Sequence, residues 1–197
     1  MRIIERMQVP SNIEEDCNKE NTTWKDGLCV RMNEGKNSLV FFGHEMTESL
    51  DEEGNPIKNT TAYFFRIPNP ATDEEALNYA KSLVKANIRE YDASSKVNRF
   101  YIQGMPMWLD KATRTGLYLR LQAEKEAEKT MTTLWYEDHE VNLLVVSAIQ
   151  MLNKLELYAS ECYDTTQEHL YKVSSLQDLT EIANYDYQTN YPEILHF

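Results

Sequence analysis

The stretch from Leu143 to Leu176 constrains this chain more than any other. Val145, Ala148, Ile149, Leu152, Leu155, Ala159, Cys162, Thr166, Leu170 and Val173 recur at spacings of three and four. That period places them on one face of an α-helix. No Gly or Pro interrupts the run. At about 1.5 Å of rise per residue such a helix is roughly 45 Å long, more than the width of a small domain. It is expected to serve as the spine of the second half of the chain. Ser174-Ser175 is the expected break, with a short helix from Leu176 to Ala183 after it.

The elements before it predict an α+β fold of antiparallel hairpins plus helices. Residues 1–22 read as an N-terminal arm: a short alternating piece to Val9, then Pro10 and a polar run. Residues 23–95 read as a sheet plus one helix. Strands are expected at Thr23–Met32, Ser38–Met46 and Asn59–Ile67, the last two joined by Glu48–Lys58, which carries the turn sequence Glu53-Gly54-Asn55-Pro56. Thr72-Asp73-Glu74-Glu75 is a capping box that opens a helix to about Tyr91. Residues 96–197 read as a helix-rich domain. A hairpin turning at Gln103-Gly104 joins Val97–Ile102 to Met105–Leu109. Asp110 caps a helix from Lys111 to about Lys129, whose Gly116 implies close approach of another backbone. The charged run Glu124–Lys129 reads as a solvated face. A second hairpin, Thr132–Tyr136 with Val141–Leu144, precedes the spine. The aromatic tail from Asn184 to Phe197 is too apolar to float free, so it lies along the long helix or enters a partner.

Charge narrows the partners. The 197 residues carry a net charge of −12, and each half has an excess of acidic residues. Phosphate contacts need clustered Lys and Arg, so direct nucleic-acid binding is not expected. Anionic membrane surfaces are disfavoured for the same reason. No stretch nears the roughly 18 apolar residues that span a bilayer. The N-terminal residues lack a signal-peptide run, so folding in a cytoplasm is expected. Nine of the twelve tyrosines follow residue 96, a composition suited to half-wet surfaces and interfaces.

The residues offer little catalytic chemistry. His44, His139, His169 and His196 form no HxxxH or HExxH pair, so no metal is expected. His139 among Glu137, Asp138 and Glu140 reads as a solvated hairpin tip, and His169 as a surface or core-edge residue. With six glycines and no GxxxxGK, GxGxxG or GxSxG, no phosphate loop or nucleophile elbow is present, and no cofactor is expected. Cys17, Cys29 and Cys162 show no CxxC spacing and read as reduced thiols, although a Cys17–Cys29 disulfide is conceivable. The expectation is a protein that is not an enzyme. Arg114 and Glu156 stand out as charges beside apolar neighbours: either a buried pair linking two helices or ordinary surface charge.

Residues 97–117, Val-Asn-Arg-Phe-Tyr-Ile-Gln-Gly-Met-Pro-Met-Trp-Leu-Asp-Lys-Ala-Thr-Arg-Thr-Gly-Leu, are followed by Thr132-Thr-Leu-Trp-Tyr136. Then come the helical segment from Leu155 to His169 and Tyr-Asp-Tyr-Gln-Thr-Asn-Tyr-Pro-Glu from Tyr185. This half resembles the uncharacterised tail-associated domain family of tailed bacteriophages and prophages. Asp110, Thr113, Arg114, Trp135, Leu157, Tyr158, Ala159 and His169 stand at the matching positions. The resemblance covers about residues 96–197 and no motif of the first half. It implies a structural component of a phage particle, in the tail or its connector, made in the bacterial host cytoplasm. The chain would be present in several copies as a homo-oligomer, binding other phage structural proteins through the arm and the aromatic tail, Tyr187, Tyr191 and Phe197 among its contacts. The alternative is a tail-fibre assembly chaperone that leaves the finished particle.

Overall fold

The computed structural model describes residues 5–8, 30–34, 36–68, 72–136 and 138–197. The described residues contain eight strands and four helices and form an α+β structure. They divide into two compact units. The first runs to Ile88 and takes in His169–Tyr187; the second is Arg89–Glu168 with Gln188–Phe197. The division therefore differs from a simple cut at residue 95. Two of its three boundaries fall inside helices, and the chain re-enters the first unit near its end.

In the first unit, β1 (Glu5–Gln8), β2 (Val30–Glu34), β3 (Asn37–Leu50) and β4 (Pro56–Pro68) form an antiparallel sheet in the order β1-β4-β3-β2. The one described piece of the expected arm, Glu5–Gln8, is thus an edge strand of the chain's own sheet. Of the expected strand Thr23–Met32, residues 23–29 lie outside the described residues, as do Cys17, Cys29 and the rest of the arm. The β3–β4 turn is tighter than Glu48–Lys58 suggests. The Asp51 carboxylate accepts hydrogen bonds from the backbone N–H of Glu53 at 2.9 Å and of Asn55 at 2.7 Å, and these bonds hold its pKa below the usual carboxylate value. Pairing consequently continues out to Leu50 and Pro56. The ladder is interrupted once, between Phe42 and Glu45. Gly43 sits there at φ +57°, and a Cβ would meet the Thr180 hydroxyl at 3.0 Å and the Tyr63 ring at 3.2 Å, so the bulge requires glycine.

Helix α1 (Asp73–Ala93) opens with the expected capping box. Glu75 N–H donates to Thr72 Oγ1 at 3.1 Å, and Thr72 N–H donates to Glu75 Oε2 at 2.7 Å. Within the first unit its Ala76, Ala80, Val84 and Ile88 cover Val40, Phe42, Phe65 and Ile67 of the sheet, with Val173 and Ile182 completing the core. Ile182 belongs to the short helix α4 (Leu179–Asn184), which is capped by Asp178.

The second unit holds β5 (Phe100–Ile102), β6 (Met105–Met107), α2 (Lys111–Glu126), β7 (Met131–Tyr136), β8 (His139–Leu144) and most of α3 (Val145–Ser175). The long helix is as expected and ends at Ser175. Its Val145, Ala148, Leu152, Leu155 and Cys162 are buried against Phe100, Ile102, Leu121, Leu134 and Val141. Met151 and Tyr158, which the three-four spacing did not single out, are buried too.

Four expectations in this unit need correction. Strand β5 begins at Phe100 rather than Val97, because Val97 and Asn98 donate back to Ser94 in a turn. Helix α2 ends at Glu126 rather than Lys129, because Glu128 adopts φ +57°, which breaks a right-handed helix. Gly116 meets no other backbone among the described residues: outside its own helix, none of them lies within 4 Å of a Cβ built on it. Of the run Glu124–Lys129, residues 125–129 are exposed as expected, but Glu124 is not a solvated charge; its side chain is mostly covered and accepts from Arg120 Nε at 3.1 Å. Arg120 also donates to the Thr132 hydroxyl and the Thr133 carbonyl, tying α2 to the β7–β8 hairpin.

The aromatic tail is part of the fold. Tyr101 N–H donates to Leu195 O and Phe197 N–H to Tyr101 O, both at 2.8 Å, while Gln103 N–H donates to Phe197 O at 2.9 Å. The final residues therefore run parallel to β5 and pair with it through a single bridge, Tyr101 with His196. Phe197 packs edge-on against Phe100, and Tyr191 lies 5.3 Å from the Tyr91 ring. Tyr187 is half-buried against the core of the first unit.

Candidate functional site

Arg114 stands in the first turn of α2, which Asp110 opens. Asp110 accepts from the Thr113 N–H at 2.8 Å and from the Thr113 hydroxyl at 3.0 Å. These bonds hold the Asp110 carboxyl below the usual aspartate range. A cation near a helix N-terminus opposes the helix dipole, so Arg114 needs other partners. Its Nη1 donates to Leu109 O at 2.7 Å and its Nε to Glu156 Oε2 at 2.8 Å. The guanidinium carbon lies 5.6 Å from the Trp108 ring centre. The ion pair is one-sided: the Arg114 side chain is 8% exposed and that of Glu156 56%. Of the two readings open for this pair, the structure shows a helix-to-helix link with only the cation buried.

Beside it runs a groove of about 320 Å³, lined by Arg114, Thr115 and Tyr118 of α2 and Leu152, Asn153 and Glu156 of α3. The positions follow from helical geometry, each helix offering residues one and four apart on its facing side. A guanidinium has five N–H donors. Glu156 and Leu109 occupy one each. Nη2 has no hydrogen-bond acceptor among the described residues. The groove can thus offer Nη2 to an acceptor, and its other polar side chains are Thr115, Tyr118, Asn153 and the half-exposed Glu156.

Another face of α3 carries a buried polar seam that the sequence reading missed. Tyr158 donates to Val97 O at 2.7 Å. Cys162 lies one turn on, and burial pushes its thiol up to about 11. Thr166, a further turn on, donates to Asp92 Oδ1 at 2.9 Å and lies 2.9 Å from the Tyr191 hydroxyl. Since Thr166 has a single proton and spends it on Asp92, Tyr191 is the donor in the second bond. Burial raises the pKa of both Tyr158 and Tyr191. Spacing by fours along α3 was visible in the sequence; the pairing with Asp92 was not.

The remaining singled-out residues do not join either cluster. His169 is buried in the first unit, its Nδ1 2.7 Å from the Tyr185 hydroxyl. It is a core residue, beyond the edge position expected of it. Among the described residues, no group of three or more His, Cys, Asp or Glu is arranged to hold a metal ion, and no helix is long and apolar enough to cross a membrane.

The outer face of the β7–β8 hairpin mixes large apolar and polar side chains and is exposed. Met131 and Leu144 face each other across the strands and are 52% and 54% exposed, and Trp135 is 66% exposed. Between them Thr133 donates to Asn142, which donates to Glu140. Val146, just past Leu144, is also exposed. The opposite face of the hairpin, with Leu134 and Val141, lies in the core. No protein-family model, curated protein or solved structure matches this chain.

Proposed function

We propose that the chain is a structural component of a phage particle, in the tail or its connector, acting through protein–protein contacts. Two things support the reading. The resemblance of residues 96–197 to the tail-associated family supplies the phage assignment. The exposed Met131–Leu144 pair, with Trp135 on the same hairpin face beyond Thr133 and Asn142, carries the interaction reading, because large apolar side chains left more than half exposed and rimmed by polar groups mark binding surfaces. Symmetric multi-copy assembly makes modest interfaces of this kind sufficient.

The geometry changes where the contacts are expected. Tyr191 and Phe197 are used inside the second unit, so the C-terminal tail is not a projecting arm. The hairpin face and the Arg114 groove replace it as candidate contact surfaces.

Mass spectrometry of purified particles tests the assignment. A stoichiometric signal for this chain is expected. Its absence from particles, with the chain present in the lysate that assembles them, overturns the structural role and leaves the assembly chaperone.

A further inference from the structure

We propose that the Arg114 groove is a receptor for a carboxylate presented by a partner protein, with Glu156 holding the place in the free chain. The inference rests on the reading of the protein as one that joins other proteins. Arg114 is nine-tenths buried and lines the groove, yet Glu156 and Leu109 take only one donor each from its guanidinium. Nη2 is left facing the groove, where a carboxylate can accept from it. Nη2 is not among the buried polar atoms left without a partner, so water reaches it in the free chain, and an entering carboxylate replaces that water with a charge-assisted hydrogen bond.

Glu156 is suited to be displaced. Its side chain is more than half exposed, so it can swing into water at little cost, whereas Arg114 cannot follow it. Leu152 and the Tyr118 ring provide an apolar wall for the body of the ligand, and Thr115 and Asn153 sit at the rim. The chain's net charge of −12 repels an acidic partner at long range. Salt screens that repulsion beyond about 8 Å, while a contact inside the groove is screened much less. A side-chain or C-terminal carboxylate therefore fits where a second basic group does not.

The probe is N-acetyl-leucine, with N-acetyl-leucinamide as the neutral counterpart, titrated into the full chain and followed by amide NMR shifts. Saturable shifts at Thr115 and Asn153 are expected with the carboxylate, in the low millimolar range, and none with the amide. Glu156→Gln removes the resident anion while keeping the shape, and should tighten binding about two- to fivefold, the worth of a half-exposed ion pair. Arg114→Lys should abolish the shifts. Because that variant changes a buried group, Glu156→Gln is the decisive arm.

Equal binding of the amide overturns the proposal, as does no shift with either probe or a Glu156→Gln variant that binds no better. A peptide ending in leucine that binds no better than N-acetyl-leucine points to a small-molecule carboxylate and overturns the protein-partner assignment. A particle-bound chain whose groove takes no carboxylate leaves the assembly reading standing; a working groove in a chain missing from particles does the reverse.

Discussion

Replacing Arg114 by alanine should destabilise the protein by roughly 3 kcal/mol, and the structure supplies the parts of that figure. The Leu109 carbonyl loses a charge-assisted donor at 2.7 Å, about 1.5–3 kcal/mol for a hydrogen bond to a charged group. The contact with Trp108 at 5.6 Å contributes about 0.5–1 kcal/mol. The Glu156 pair contributes about 0–1 kcal/mol, because its carboxylate is largely in water. Glu156→Ala removes only that last part and should cost about 1 kcal/mol or less. Urea unfolding followed by circular dichroism and Trp fluorescence measures both, and the double variant gives the coupling. The reasoning fails if Arg114→Ala costs under about 1 kcal/mol, or if the two single variants are equally damaging. Equality would mean that the pair is buried from both sides, contrary to the exposed Glu156.

Other outcomes follow from the same geometry. Gly116→Ala should stabilise α2 by about 0.5–1 kcal/mol, because a Cβ meets nothing there; a loss of stability in the same urea series refutes this. Asp110 has a lowered carboxyl pKa, so its capping contribution is complete above the unfolded value of about 3.9 and is lost as pH falls through the folded one. Asp110→Asn should flatten this part of the acid melting profile, and an unchanged profile counts against the cap. Cys162, with a buried thiol at about 11, should resist a thiol reagent at pH 8 in the native chain and react once urea unfolds it. Mapping by mass spectrometry separates it from Cys17 and Cys29, and native reactivity at the rate of a free thiol would contradict its burial.

How much of this was legible beforehand depends on how local each cause is. The long helix, the Thr72 and Asp110 caps and the two short hairpins were readable because each rests on periodicity, a side chain bonding a backbone three residues away, or a turn of a few residues. Arg114 and Glu156 could be paired as a possibility, since both sit beside apolar helix positions. Which of the two is buried was not readable, because it depends on Trp108 and the Leu109 carbonyl enclosing one side only. The missed features are non-local in the same way. Asp92 meets Thr166 across 74 positions, and His196 of the tail bridges to Tyr101 of β5 from the far end of the chain. The pattern Met131, Trp135, Leu144 reads as core in a strand of a wider sheet. It is exposed because this hairpin has one covered face, a fact decided by how many layers are present. The residues by themselves determined which segments become helix or strand. Only the tertiary structure decided which faces are left to water, because burial belongs to pairs of elements and not to either one.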